Sequence, residues 1–376
     1  MQAPTTIRAA AALLCGLAAS TAHAQSNVTV YGQLDATIAS RQLSGGVRAT
    51  KVDDGGMSTS NFGFRGTEEL GGNLQAVFDL SGFFTVDTGA SGRFTGSGDA
   101  LFSRRATVGL VGKFGRIDVG RVGSPYFFSL IFFNPLVDSA VYSPIFLHTY
   151  TNGQFPISAP PIGAPDSGVS NSIAYTSPTI NGMNARLQYA PGEVAGDAGK
   201  SRISGSLNYN GGPVAMTFAF ARDTTALGTL GTLPVPETRQ LALLGGITYD
   251  FGLLKLFGQL EKTTQTFALA SAERRYTTYQ LGASVPVGAG KILASWAHSS
   301  IDLPAAGVSP YTLIPGFPGI PVGVATSSVD PRRDTTTVGY DYSLSRRTDL
   351  YALFMLDKYT GLTTGKSTAF GIRHRF

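Results

Sequence analysis

The sequence predicts an all-β fold, a closed antiparallel barrel of sixteen strands that spans a membrane. Three observations predict it. Apolar and polar residues alternate with period two along most of the chain, and the connections between these segments alternate short and long. The alternation also runs to the last residue, Phe376, where chain ends ordinarily fray.

The N-terminus stands apart from the barrel. MQAPTTIRAAAALLCGLAASTAHA carries one cation, Arg8, then an apolar run from Ala9 to Ala19 and the small-residue site Ala22-His23-Ala24. Those are the three regions of a cleaved export signal, and the run is too short for a membrane helix. The expected organisation is a signal peptide over residues 1–24 and one barrel domain over 25–376. Cleavage would remove Cys15, the single cysteine, so thiols say nothing of the compartment. The remaining chain carries 28 Lys and Arg against 24 Asp and Glu. That excess is mild and scattered, with no basic run or finger spacing, so no nucleic-acid partner is expected. Only 14% of residues are charged, below the roughly 25% usual for soluble domains. No stretch of 18 apolar residues offers a spanning helix.

The strands read in order. NVTVYGQLDATIAS puts Val28, Val30, Leu34, Ala36 and Ile38 on one face and Thr29, Tyr31, Gln33, Asp35 and Thr37 on the other. SRRATVGLVG sets Ala106, Val108 and Leu110 against Arg105, Thr107 and Gly109. RISGSLNY and TTVGYDYSL divide in the same way. At 180° per residue each is a strand with one greasy and one wet face. Seven short turns separate them: 70–73, 113–116, 178–183, 210–213, 250–254, 286–291 and 345–348. Eight longer connections interleave, including Gly123 to Ser170 and residues 303–331, which gives sixteen strands. Tight turns at one end, long loops at the other and an even strand number describe a bacterial outer-membrane barrel. A secreted sandwich or propeller would have shorter strands. Aromatics near the strand ends, among them Tyr31, Phe62, Phe64, Phe83, Tyr249, Phe251, Tyr276, Tyr279, Tyr351 and Tyr359, suit an interfacial girdle.

Lipid gives backbone groups no partner, so a membrane sheet must close on itself. The final STAFGIRHRF is therefore expected to pair with NVTVYGQLDA, with Phe370, Ile372 and Phe376 towards lipid and Arg373 and Arg375 towards the lumen.

The chain resembles the general porins of the Gram-negative outer membrane, in their beta-proteobacterial branch, over essentially its whole mature length. The stretches that carry the resemblance are VTVYGQLDA, SNFGFRGTEELGGNLQAVFDLSGFF, LFSRRATVGLVGKFGRIDVGR, NSIAYTSPTINGMNARLQYA, YDYSLSRRTDLYALF and GIRHRF. The resemblance implies a homotrimer of sixteen-stranded barrels in contact with outer-membrane lipid and lipopolysaccharide. It implies a water-filled lumen narrowed by the third external loop, and a terminal Phe376 read by the outer-membrane assembly machinery. Small ions and hydrophilic solutes would pass by diffusion, with no cofactor. It also implies a basic cluster on the wall facing acids on the third loop. Arg121 matches a wall arginine of the family, whereas Asn61 stands in place of another, and Ala174 or Thr176 in place of a third charged position.

Alternation alone places Arg65, Arg105, Arg186, Arg202 and Lys255 on the lumenal face. Strict parity with Ile117 and Val119 turns Arg121 outward, so the family match needs a local break in the strand. The third loop, SPYFFSLIFFNPLVDSAVYSPIFLHTYTNGQFPISAPPIGAPDSG, holds only two acids, Asp138 and Asp166. Basic walls with few loop acids predict a positive field and a modest anion preference. Its aromatics, Phe127, Phe128, Phe132, Phe133 and Phe146, read either as a small core pinning the loop or trimer contact, or as an apolar eyelet for aromatic or amphipathic acids. Three histidines survive the cut, His148, His298 and His374, without metal-ligand spacing, and no G-x-S-x-G elbow occurs. The leading reading is a diffusion channel without enzymatic activity. A substrate-specific channel for organic or aromatic acids is the alternative, and an outer-membrane protease or lipase a third.

Overall fold

The computed structural model describes residues 27–93, 99–149, 167–193, 201–226, 229–230, 233–234, 237–267, 272–302 and 332–376. The expected signal peptide lies outside the described residues, as do positions 150–166 of the third long connection, with Asp166, and the connection 303–331.

The described strands are β1 (Asn27–Arg41), β2 (Ala49–Asp54), β3 (Asn61–Gly71), β4 (Leu74–Phe83), β5 (Arg105–Gly112), β6 (Gly115–Gly123), β7 (Gly168–Thr176), β8 (Met183–Ala190), β9 (Arg202–Gly211) and β10 (Val214–Ala226). They continue with β11 (Thr229–Leu230), β12 (Leu233–Pro234), β13 (Glu237–Asp250), β14 (Lys255–Phe267), β15 (Ala272–Val287), β16 (Gly290–Asp302), β17 (Arg332–Ser343), β18 (Thr348–Tyr359) and β19 (Gly365–Arg375). Sixteen of these close into one antiparallel barrel. The other three belong to connections: β2 pairs with the far half of β1, and β11 with β12 form a separate hairpin. All seven expected short turns join neighbouring wall strands. At the opposite end, the connection 360–364 between β18 and β19 is as short as a turn.

The last strand does close against the first, at a different height from that expected. β19 pairs with β1 from Gln33↔Arg375 to Ser40↔Thr368. Phe376 completes the seam, its N–H donating to Gly32 O at 3.1 Å while Gly32 N–H donates to Phe376 O at 3.2 Å. Residues Asn27–Tyr31 therefore pair with β3 and not with β19. Barrel strands tilt and stagger, so the two ends of the chain meet offset along the wall.

Alternation survives folding. Val28, Val30 and Ile38 of β1 are exposed, while Asp35 and Thr37 between them are buried. Along β19, Phe370, Ile372 and Phe376 are exposed and Arg373 is buried, as expected for lipid-facing and lumenal sets. The aromatic girdle is thinner than the sequence implies. Phe64, Tyr249, Phe251 and Tyr279 are exposed, but Phe83, Tyr276, Tyr351 and Tyr359 are buried. Tyr351 turns inward to bond Asp35 and Thr37. A phenol that can reach a carboxylate has a polar reason to leave the lipid face.

In two places the wall is apolar on both faces. Tyr351, Leu353 and Met355 of β18 are buried, and so are Ala219 and Ala221 of β10 with Ala242 and Leu244 of β13. Each patch packs against the segment between β6 and β7. Leu136, Val141, Tyr142 and Leu147 join the first cluster; Tyr126, Leu130, Ile131, Ile145 and Phe146 join the second. Fully burying such a side chain is worth roughly 1.5–3 kcal/mol.

Candidate functional site

The β6–β7 segment forms two helices, α1 (Pro125–Phe132) and α2 (Pro144–Thr149). Ser124 caps α1, its Oγ accepting the Phe127 N–H at 3.4 Å, with Pro125 in the first turn where its missing N–H costs nothing. Asn134 ends the helix and organises the bend after it. Its Nδ2 donates to the carbonyls of Leu130 (3.4 Å), Ile131 (3.2 Å) and Val137 (2.9 Å), and its Oδ1 accepts the Leu136 N–H at 2.9 Å. The bend carries Val137 at φ 46°, a conformation that costs a β-branched residue about 1–3 kcal/mol. Asp138 follows immediately.

Polar anchors tie this segment to buried groups of the wall. Tyr126 Oη and Thr149 Oγ1 each donate to the Glu261 carboxylate at 2.7 Å. His148 bridges Ser299 Oγ (2.7 Å) and Thr335 Oγ1 (2.8 Å). Burial holds its imidazole well below the usual histidine range, so it stays neutral. Thr337 donates to Tyr142 O (2.7 Å), Gln259 to Leu130 O (3.1 Å) and Arg333 to Leu147 O (3.1 Å). Two wall glycines make room for the segment. A Cβ at Gly282 would lie 2.6 Å from Pro135 Cδ, and one at Gly246 3.0 Å from Phe133 Cγ.

Beside the segment lies an opening of about 380 Å³, lined by Arg93, Arg104, Arg105, Lys291, Arg373 and Arg375 together with Asp138, Phe127, Phe128 and Phe132. Most of these cations have partners. Arg105 pairs with Asp79 (3.3 Å) and Arg93 with Asp99 (2.9 Å). Arg373 pairs with Asp349 (3.0 Å) and Asp341 (3.3 Å), Arg375 with Asp349 (2.8 Å) and Lys291 with Asp341 (3.8 Å). Arg104 has no carboxylate within ion-pair distance among the described residues. Asp138 is half-buried, and burial pushes its carboxyl above the ordinary value, against a Ser58 hydrogen bond and the fields of Arg104 and Arg373.

The residues singled out from sequence separate into three groups. Arg105 and Asp138 line the opening. Arg186 and Lys255 line an adjoining cavity of about 240 Å³ beside α1. Arg186 and Arg105 flank the Phe128 ring, their Cζ atoms 5.7 and 5.4 Å from its centroid. The rest stand elsewhere. Arg65 is exposed over the Tyr31 ring at 4.9 Å, and Arg202 is paired with Asp223 at 3.0 Å.

Arg121 lies opposite Ala106, on the face that carries Val108 and Leu110. The break expected near it exists: the β6–β7 register shifts between Gly120 and Val122, and Gly120 adopts φ 120°. The bulge does not bring Arg121 to the opening. Its guanidinium instead donates to Ser103 O and to Ser170 Oγ (2.8 Å). Local bonding at the strand end satisfies it without crossing the wall.

Sequence reasoning missed Arg93, Arg104 and Lys291. Parity carried back from the buried Leu293 and Ser295 would have placed Lys291 inward. Arg104 precedes the first paired residue of β5, where alternation no longer applies.

The comparisons agree with this architecture. A family model described as Gram-negative porin matches residues 9–362. Outer membrane porin protein 32 of Delftia acidovorans is 31% identical over 348 residues, covering 90% of this chain and 86% of its own length. An outer membrane porin protein of Bordetella pertussis is 28% identical and covers 98% of both chains. Among solved structures, the anion-selective porin from Comamonas acidovorans superposes with a TM-score of 0.74 at 26% identity, covering 94% of this chain and all of that one. A closed sixteen-stranded wall, greasy outside and charged within, and a family match over nearly the whole chain lead to one conclusion: this chain belongs to the Gram-negative porin family, the channels of the outer membrane.

Proposed function

We propose that the barrel encloses a water-filled passage for passive diffusion of small hydrophilic solutes and ions, that the β6–β7 segment folds into it as the constriction, and that the passage prefers anions. The observation that carries the preference is the charge balance beside that segment, where, among the described residues, six cations and one loop acid line the opening. Four carboxylates, Asp79, Asp341 and Asp349 of the wall and Asp99 of the β4–β5 connection, offset the paired cations, and Arg104 has none within ion-pair distance among the described residues. Arg186 and Lys255 extend the basic lining past α1. Charge in a narrow, low-dielectric-walled channel is focused, so a small excess suffices. The named character of the Comamonas porin supports the same reading.

The bonds from α1, α2 and the bend to β10, β14, β16 and β17 support the inward course of the segment. The set proposed to line the passage is Arg104, Arg105, Arg186, Lys255 and Asp138, with Arg65 towards one mouth. Export under a signal cleaved after Ala24, assembly as a homotrimer among lipid and lipopolysaccharide, and recognition of Phe376 by the assembly machinery complete the proposal. No catalytic step is assigned. The test is the reversal potential of the purified protein in a planar bilayer under a salt gradient. Anion preference is expected; cation preference would overturn the charge reading.

A further inference from the structure

The cavity beside α1 has two unmet needs that one ligand would satisfy. Phe132 is 58% exposed and stacks on Phe128, with ring centroids 5.9 Å apart and planes 13° from parallel. A stacked pair with one face open to a polar passage leaves apolar surface in water. Arg186, which lines the same cavity, has a buried Nε with no hydrogen-bond partner and no carboxylate within ion-pair distance among the described residues. A buried donor left unmade costs free energy until something accepts from it. Among the described residues, the 240 Å³ space is lined by two cations, Arg186 and Lys255, and no carboxylate. Arg105, across the Phe128 ring, is already engaged by Asp79, so an incoming acid would meet Arg186 first.

We infer that this cavity is a binding subsite for single-ring aromatic carboxylates. The ring would lie against the exposed Phe132 within the cavity, with the carboxylate taken by the Arg186 guanidinium and supported by the Lys255 ammonium. Offset stacking adds to simple burial for an aromatic guest, and a planar fork suits a carboxylate better than an ammonium does. An aliphatic acid meets the cations without the stack, and a neutral aromatic meets the stack without the cations. The subsite rests on the reading of this chain as a channel and names the solute class that the channel would retain.

The test is blockade of chloride current through the purified full-length mature protein in a planar bilayer, titrated in turn with benzoate, cyclohexanecarboxylate and acetate. Saturable blockade by benzoate is expected, at concentrations roughly three- to tenfold below those needed for cyclohexanecarboxylate, the range that ring stacking supplies. Phe132→Leu should erase that ratio, and Arg186→Gln should weaken benzoate by roughly tenfold or more, as loss of a charged hydrogen bond does. Circular dichroism of each variant establishes that the barrel has formed. Should Arg186→Gln not fold, Phe132→Leu decides alone, since its side chain is exposed. Equal blockade by all three acids, no saturation with benzoate, or a ratio unchanged in Phe132→Leu would each overturn the subsite while chloride conduction left the channel reading standing. Absence of any conductance would overturn both.

Discussion

Replacing Arg104 by Gln removes one full charge from the opening and keeps a polar, hydrogen-bonding side chain. The site is informative because Arg104 has no carboxylate within ion-pair distance among the described residues, whereas Arg105 sits against Asp79 and Arg373 against Asp349 and Asp341. An ion passing at about 6 Å in a water-like medium feels about 0.7 kcal/mol from such a charge. A Debye length of about 10 Å at 0.1 M salt leaves about 0.4 kcal/mol of that. The term favours an anion and opposes a cation by the same amount, so the anion-to-cation permeability ratio should fall about fourfold in Arg104→Gln. Reversal potential in a potassium chloride gradient reads that ratio directly. Arg121→Gln is the matched control, because that side chain lies on the outward face and bonds Ser103 and Ser170. An unchanged ratio in Arg104→Gln, or a drop confined to Arg121→Gln, would refute the placement of charge at the opening.

Three further outcomes follow from the same geometry. Because burial raises the Asp138 carboxyl, acidifying from pH 7 towards pH 5 should neutralise it earlier than a free carboxyl and increase anion preference; Asp138→Asn should hold the higher preference and lessen that pH dependence, with His148 already neutral there. Gly282→Val should drive Pro135 from its seat, since even a Cβ would come within 2.6 Å; single-channel conductance should change while β content by circular dichroism does not, and an unaltered conductance would count against the constriction. Deleting Phe376 removes the two seam bonds to Gly32, at roughly 0.5–1.5 kcal/mol each. In detergent refolding, without any assembly machinery, the folded fraction on a heat-modifiability gel should drop modestly, and a large loss confined to cells would assign the residue to recognition instead.

Much of the wall was legible because its code is local. Period-two alternation and polar turns, six of the seven with Gly or Asn, fix strand number and facing without long-range information, and all seven fell where composition placed them. Seam height was not legible, since it depends on the accumulated stagger of every strand pair. The lumenal charges were half legible. Parity found Arg105, Arg186 and Lys255, but it gives no height along the barrel, so it could not separate Arg202, held by Asp223, from residues at the opening. Arg104 escaped because pairing begins one residue later. The aromatics of the third loop were read two ways, and the structure shows the small core for some of them while it leaves one exposed. Phe146 is buried with Tyr126 and Leu130 as a core, while Phe132 is exposed at the cavity.

A clearer sign was present in the strands themselves. YALFML of β18 is apolar on both faces, which a wall strand between lipid and water has no reason to be. The explanation is the second surface that Leu136, Tyr142 and Leu147 offer it. Hydrophobic contact is non-directional, so these patches hold the segment close without fixing its height. Directional bonds do that. Glu261 is nearly fully buried and accepts from Tyr126, Thr149 and Thr263, so it joins the start of α1 to the end of α2 through one carboxylate. A slip of the segment along the wall would take away two of its three donors and leave Thr263, on its own strand, as the third, a costly loss for a buried carboxylate. Greasy patches supply the attachment and buried polar groups supply the register, so Asp138 and the exposed Phe132 stand at a fixed level opposite the wall cations. A passage that discriminates by charge needs that fixed level, because the field that an ion meets weakens steeply with each ångström between it and the groups that make it.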